Sequence, residues 1–231
     1  MPNKATNASP DIDFLNLLLL HWIAGMLDGL SYVRAHAFTA NMTGNLVLLA
    51  IHTAQRNRTD AIRSLVALIA FALGAFGAAL LVVEREDGRG GITLGFAAEF
   101  CLLATTGVVY ASNSRSEFTV IALLVAAAAA LAAQSVVVRR MRISGVVTTF
   151  ITGTVTTTMV GLAKVLRKKP SAQEESEEKY VVLLVAMLLS YFLAAVFGTI
   201  LTQYAPRIAG FPPALLLLCV IFRRWNAERF W

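Results

Sequence analysis

The sequence predicts an all-α fold, a polytopic bundle of membrane-spanning helices. Of its 231 residues 57% are apolar and 15% charged, and the mean hydropathy is +0.67, whereas soluble domains carry about 25% charged residues. Long apolar runs recur along the chain, and one short polar motif occurs twice. These observations indicate a protein embedded in the lipid bilayer and built from two similar halves.

Eight apolar segments lie between charged residues, and their sustained Ala, Leu and Val runs predict helices, since a barrel strand would alternate and stop after about ten residues. The segments are 14–33, 37–54, 62–83, 92–111, 118–138, 145–166, 180–203 and 210–222. The last is short against the roughly 20 residues that a crossing needs. We expect seven or eight crossings in one membrane domain, 14–222, between tails of 1–13 and 223–231.

The stretch from Arg167 to Lys179 is the plainly hydrophilic part of the chain. Pro170 follows three basic residues, and four glutamates come shortly after it. Proline interrupts a helix, and a run of charge stays hydrated. We therefore predict a solvated linker here.

Composition also bears on partners and cofactors. The net charge is +6, but the basic residues sit at the ends of apolar segments, which is typical of topology signals and argues against nucleic-acid binding. Cys101 and Cys219 lack the spacing of a metal site or a disulfide framework and are predicted to be small buried residues. We expect no cofactor and no metal; the lipid bilayer is the predicted surrounding, and a homo-oligomer is compatible with the sequence.

The distribution of Lys and Arg predicts the orientation. With eight crossings, Arg56, Arg115 and most other basic residues fall on the side of the two termini, whereas Arg34 and Arg207 fall on the opposite side. Loops rich in Lys and Arg remain in the cytoplasm. Both termini are thus predicted to be cytoplasmic, in a plasma or cell membrane.

The polar motif suggests an internal duplication. "FTANMTGN", from Phe38 to Asn45, resembles "VTTFITGT", from Val147 to Thr154, and the overlay also pairs later segments of the two halves. The identical pairs are Thr39 with Thr148, Thr43 with Thr152, Gly44 with Gly153, Phe71 with Phe192, Phe76 with Phe197 and Gly77 with Gly198. The predicted repeats are 14–111 and 118–222, and four crossings in each would make them parallel.

Ionisable and amide side chains inside apolar segments are candidates for function, because each costs on the order of 3 kcal/mol in a spanning helix. His21 and Asp28 share one face of the first helix, where Gly25 and Gly29 allow another backbone to approach closely. Glu99 is expected near mid-bilayer, without a cation nearby in sequence. The set predicted to carry protons or ions is His21, Asp28, Glu99, Arg139 and Arg140, with either arginine able to pair with a carboxylate or an anionic solute.

The two motifs provide the predicted solute site. Threonines four residues apart line one helix face, and glycine near the middle of a span permits unwinding or close packing. One half contributes Thr39, Asn41, Thr43, Gly44 and Asn45, which would face Thr148, Thr149, Thr152, Gly153 and Thr154 of the other half across the pseudo-axis, with Gln134 nearby.

"FTANMTGNLV" after "AGMLDGLSYV" resembles the first half of the YoaK-like membrane proteins, a family of unassigned function. The second half is similar too, with Gln134, then Arg139 and Arg140, then "TTFITGT". The resemblance covers roughly 14–222 and implies the helical fold and the motif positions, but no substrate. The family usually has Gln-Asn where this chain has Gln134-Ser135, which puts a shared role for that pair in doubt.

The leading hypothesis is a secondary transporter or permease for a small polar solute, coupled to protons. An alternative is a membrane assembly protein in which the motifs only join helices. An intramembrane enzyme is a weaker alternative, because the sequence contains no His cluster, no Gly-x-Ser-x-Gly and no acidic pair at ligand spacing.

Overall fold

The computed structural model describes residues 14–83, 88–141, 151–167 and 172–229, and these form a bundle of α-helices. The helices are α1 (Phe14–Ala35), α2 (Met42–Ala54), α3 (Arg58–Val83), α4 (Gly88–Ala111), α5 (Glu117–Arg140), α6 (Ile151–Arg167), α7 (Ala172–Tyr204) and α8 (Pro212–Arg229). Five of them, α1, α3, α4, α5 and α7, are long and apolar enough to cross a membrane. The predicted all-α membrane bundle is confirmed.

The centre of the bundle consists of α1 and α5, whose residues are mostly buried, whereas α3 and α7 expose most of their apolar side chains. The largest interfaces join α1 to α7 and α3 to α5. Smaller ones join α4 to α5 and α8 to α1, and α2 and α6 lie against α3 and α7 respectively. The exposed apolar surfaces of α3 and α7 are suited to contact with lipid.

Glycines allow the backbones of α1 and α7 to touch. A Cβ on Gly25 would overlap the carbonyl of Tyr191, and one on Gly29 would overlap the carbonyl of Ala195. These residue numbers increase together along both helices, so α1 and α7 run in the same direction. The predicted small-xxx-small contact is confirmed.

The end of the bundle where α1 terminates, called the far end here, also contains the start of α3. His36, just after α1, lies 3.1 Å from the Asp60 carboxylate in the first turn of α3. Arg63 then binds Glu117 of α5 at 2.6 Å. The chain therefore leaves α1 and enters α3 at the same end, so α2 between them does not carry it across the membrane.

The segment between α1 and α3 instead folds back into the bundle. The backbone N–H groups of Thr39 and Ala40 each donate to Asp28 Oδ1 at 2.7 Å. Asp28 lies about 10 Å along the helix axis from the end of α1, so the chain has turned back by this distance. From this depth α2 rises towards the far end over 13 residues, about 20 Å. The predicted crossing at 37–54 is wrong, because hydropathy does not distinguish a returning segment from a crossing one.

The near end, where α1 begins, contains the end of α8, because Arg223 donates to the Asn16 side chain at 3.2 Å. The start of α8 lies at the far end, where Gly210 packs against Gly107 of α4. α8 therefore runs the full depth of the bundle. Together with the five helices that are long and apolar enough to span, this indicates six crossings in the described part of the chain. α6 lies beside α7, as α2 lies beside α3.

Six crossings change the predicted topology. Arg34 donates to the Ser114 carbonyl at 2.6 Å, so Arg34 lies on the same side as Arg115, not opposite to it. Three crossings in each half are odd in number, and halves with an odd number of crossings enter the membrane from opposite sides. The predicted parallel relation of the halves assumed four crossings in each, and the described helices indicate three; the predicted repeat itself stays a prediction. The two ends of the described chain remain on one side.

Two smaller predictions are also corrected. Most of the predicted linker is the start of α7, which begins at Ala172; glutamate is a good helix former and suits a helix N-terminus. Cys101 and Cys219 are free thiols with exposed side chains. They lie on outer faces of α4 and α8, where an apolar residue can contact lipid.

Cysteine labelling tests the six-crossing topology. After Cys101 and Cys219 are replaced by alanine, we expect Gln55→Cys and Arg207→Cys, both at exposed positions, to react with a membrane-impermeant maleimide from the same side of oriented vesicles. Eight crossings would place these two positions on opposite sides. Labelling from opposite sides would therefore refute the returning α2.

Candidate functional site

Asp28 is the centre of a buried polar cluster. Its Oδ1 accepts the N–H groups of Thr39 and Ala40 at 2.7 Å and the Thr39 hydroxyl at 3.3 Å. Its Oδ2 accepts the hydroxyl of Tyr191 from α7 in a short hydrogen bond. Asp28 is 2% exposed. The carboxylate thus joins α1, the returning segment and α7, an arrangement that favours a structural role over the predicted ion transfer.

The asparagines of the motif determine its local shape. The side chain of Asn45 accepts from the Phe38 N–H at 2.8 Å and donates to the Phe38 carbonyl at 2.7 Å. Asn41 is the N-cap of α2 and accepts from the Gly44 N–H at 3.0 Å. "FTANMTGN" is therefore a turn with a capped helix start, because Asx side chains replace missing backbone partners.

This geometry corrects the predicted roles of two motif residues. Thr39 precedes the helix, so it does not share a helical face with Thr43, and Gly44 lies in the first turn of α2, not at the middle of a span. A Cβ on Gly44 would come within 2.9 Å of the Asn41 amide and 3.0 Å of the Phe38 ring. Glycine here permits the cap, since any side chain would press on it.

Two polar side chains of the motif are exposed at this depth. Asn41 and Thr43 are exposed, whereas Thr39 and Asn45 are fully buried. Asn41 follows directly on Ala40, which is bound to Asp28. The N-terminus of α2 therefore presents polar groups well inside the membrane depth of the bundle.

In the second half, Thr148 and Thr149 lie outside the described residues. Thr152 is exposed, Gly153 is half-buried and Thr154 is buried, all in the first turn of α6. Among the described residues, α2 has its main interface with α3 and α6 with α7. These separate partners do not support the predicted packing of the two motifs face to face.

Glu99 lies at the middle of α4 and is 0% exposed. Neither carboxyl oxygen has a hydrogen-bond partner within the described part of the chain. Burying a polar group without a hydrogen-bond partner costs roughly 2–7 kcal/mol, depending on the reference state. Asp28 and Asp60, the other buried carboxyl groups described, both have hydrogen-bond partners, so Glu99 differs from them.

Gln134 lies close to Glu99 in depth. Gly95, one turn before Glu99, packs against Val137 of the antiparallel α5, so Glu99 is level with Gln134. Gln134 Nε2 donates to the Leu20 carbonyl of α1 at 3.1 Å, and its Oε1 has no partner in the described region. The structure therefore brings these two predicted residues to one level between α4 and α5.

His21 and the two arginines occupy other positions. His21 Nδ1 donates to the Leu17 carbonyl at 2.9 Å, and His21 lies one turn from Gly25, on the side of α1 that faces α7. Arg139 and Arg140 are in the last turn of α5, where they complement the helix dipole. Pairing of these arginines with Asp28 or Glu99 is wrong, because Asp28 binds other donors and Glu99 has no hydrogen-bond partner among described residues.

Tyr191 is the member of the Asp28 cluster that the sequence did not indicate. It is separated from Asp28 by 163 positions and lies in an apolar run with ordinary helical spacing. A tyrosine at such a position is typical of any buried or interfacial helix. Only the parallel packing of α1 and α7 identifies its role.

Comparisons with known proteins agree with the helical membrane architecture. Residues 16–222 match the family described as "Protein of unknown function (DUF1275)". The UPF0700 transmembrane protein YoaK of Bacillus subtilis (strain 168) is 42% identical over 72 residues, which cover 31% of this chain and 32% of that relative. No solved structure matches the chain. Because the family match covers most of the sequence, this chain is a member of the DUF1275 family of integral membrane proteins.

Proposed function

We propose that the protein is a secondary transporter or permease for a small polar solute, coupled to protons. The observation that carries this proposal is the exposure of Asn41 and Thr43 beside the start of α2, at the depth of Asp28. Polar, non-helical backbone at membrane depth is tolerated where it lines a water-filled cavity or is covered by protein. Discontinuous helices with termini near the midplane are characteristic of transporter binding sites.

We also propose that the two halves form an inverted repeat, as in many transporters. Equivalent positions of α2 and α6 have the same burial, as Thr43 and Thr152 are exposed while Asn45 and Thr154 are buried. The main helix interfaces agree with an overlay of α1, α3 and α4 on α5, α7 and α8. In this overlay the α1–α7 interface corresponds to the α5–α3 interface, and α4–α5 corresponds to α8–α1. Transporters with inverted repeats alternate access by moving one repeat against the other. The two returning helices then open towards opposite sides.

The six-crossing topology favours cytoplasmic termini. Basic residues of the far end are Arg34, Arg56, Arg58, Arg63, Arg115 and Arg207. Described basic residues of the near end are more numerous, namely Arg89, Arg139, Arg140, Lys164, Arg167, Lys179, Arg223, Arg224 and Arg229. By the positive-inside rule the near end, with both termini, is cytoplasmic.

Glu99 is the proposed proton carrier. In proteoliposomes loaded with a pH-sensitive dye, we expect an added solute of the right class to acidify the lumen in wild-type protein. Glu99→Gln should reduce acidification to the level of empty liposomes, because glutamine cannot release a proton, while its similar size preserves the packing. Glu99→Asp is the matched control, because it keeps at the same position a carboxyl group that can release a proton.

If liposomes with Glu99→Gln acidify at the wild-type rate, Glu99 is not the proton carrier. If this variant takes up radiolabelled solute without acidification, the protein transports solute and Glu99 provides only the proton coupling. If the wild-type protein transports no solute from a panel of small polar metabolites, the transport proposal itself fails.

An assembly role is the second candidate, favoured by the exposed apolar residues Leu46 and Val47, 61% and 54% exposed, next to Thr43. A second copy could cover this face of α2. A high yield of disulfide between copies of Thr43→Cys in native membranes would support that role. We propose no enzymatic activity.

A further inference from the structure

A cavity of about 450 Å³ opens at the far end, which we call the vestibule. It lies between the ends of α1 and α7, the start of α3 and the α4–α5 connection. The polar residues of its lining are Arg34, Arg63, Asn113, Arg115, Thr202 and Gln203. This volume is in the range of small-molecule sites, about 300–1,000 Å³.

The vestibule carries an excess of positive charge. Arg63 is paired with two carboxylates, Asp60 at 3.0 Å and Glu117 at 2.6 Å. The three arginines of the lining therefore exceed these two carboxylates by one positive charge. Arg34 instead donates to the neutral Asn113 side chain and the Ser114 carbonyl, at 3.3 and 2.6 Å. No described carboxylate forms an ion pair with Arg34 or Arg115. The guanidinium groups of Arg34 and Arg115 are therefore available for an anion.

Arg34 is held in position for such a role. Its guanidinium carbon lies 5.4 Å from the centre of the Tyr110 ring, a cation–π arrangement. The Tyr110 hydroxyl donates to Thr202 at 2.9 Å, and both residues are buried. Thr202 also lines the vestibule. The floor is thus a fixed hydrogen-bonded pair with Arg34 stacked above it.

We propose that the vestibule binds a small oxyanion, a carboxylate or phosphate group, through Arg34 and Arg115. Guanidinium groups match the geometry of both oxyanions, and the amide groups of Gln203 and Asn113 provide further donors. The proposal rests on the proposed function, of which it specifies the substrate class as anionic. Equilibrium binding needs no transport, so the two ideas can fail separately.

The test is binding by purified full-length protein in detergent. Inorganic phosphate and succinate are titrated against chloride at equal ionic strength, with thermal shift and calorimetry as the measurements. We expect at least one of the two anions to raise the melting temperature more than chloride does. Arg115→Gln should weaken the binding of that anion about tenfold, because one charge-assisted hydrogen bond is lost.

Two further variants separate the site from general charge. Arg34→Gln should weaken binding as well, while Arg58→Gln, a far-end arginine outside the vestibule, should bind as wild type does. Arg115 is exposed, so its replacement leaves the fold intact even if Arg34→Gln is unstable. Binding unchanged in Arg115→Gln overturns the proposal.

A lipid headgroup has the same phosphate chemistry, and nanodiscs distinguish it. In one outcome phosphatidylglycerol raises the melting temperature more than phosphatidylcholine does, while soluble phosphate and succinate have no effect. If Arg115→Gln abolishes that difference, the result supports an anion site that holds a lipid headgroup. No response to soluble anions or to phosphatidylglycerol would refute the site. If Arg115→Gln loses anion binding but the wild-type protein takes up no solute, the anion site is supported and the transport proposal is refuted.

Discussion

Gly25→Ala should lower the stability of the folded protein by about 1–3 kcal/mol, the usual cost of an overpacked interior. The added methyl group would overlap the carbonyl of Tyr191, and backbone cannot move aside as a flexible side chain does. α1 and α7 would have to separate along their whole interface. The measurement is thermal unfolding in detergent, followed by helical circular dichroism.

Gly77→Ala is the matched control for this effect. Gly77 lies in α3, and a Cβ there would meet nothing within 4 Å. Alanine is favoured over glycine in a helix by about 1 kcal/mol, so this variant should be unchanged or more stable. Equal melting temperatures for the two variants would contradict the close approach of α1 and α7.

Asp28→Ala should have the larger effect and prevent recovery of folded protein. It would leave the Thr39 and Ala40 N–H groups and the Tyr191 hydroxyl without their acceptor. Each buried donor without a partner costs about 1–3 kcal/mol, a sum comparable to the whole stability of many domains, about 5–15 kcal/mol. Yield of monodisperse protein and melting temperature measure the result.

Graded variants keep this prediction testable if Asp28→Ala does not fold. Asp28→Asn retains an oxygen for the two N–H groups and should lose less. Tyr191→Phe removes a single hydrogen bond and should cost about 1–3 kcal/mol, whereas Tyr204→Phe, at an 83% exposed position, should be neutral. A melting temperature of Tyr191→Phe equal to that of wild type would show that the Asp28 bond does not stabilise the bundle.

Several site residues were predictable from their cost in a membrane. Asp28, Glu99 and Gln134 interrupt apolar runs, and all three are buried. Their partners were not predictable, since Gln134 meets Leu20 across 114 positions. Neither was the vestibule, because its arginines come from segments far apart in the sequence and look like ordinary topology signals.

The sequence by itself determined the helical membrane class, the family and the glycines of the α1–α7 interface. Hydropathy indicates the membrane class because that class depends on the contact of each segment with lipid. Residue spacing indicates the interface glycines because they lie on one face of a single helix. The tertiary structure decided the path of residues 36–54, the number of crossings and the role of "FTANMTGN". Whether a short helix crosses or returns depends on distant hydrogen bonds, and here Asp28 holds the turn inside the bundle.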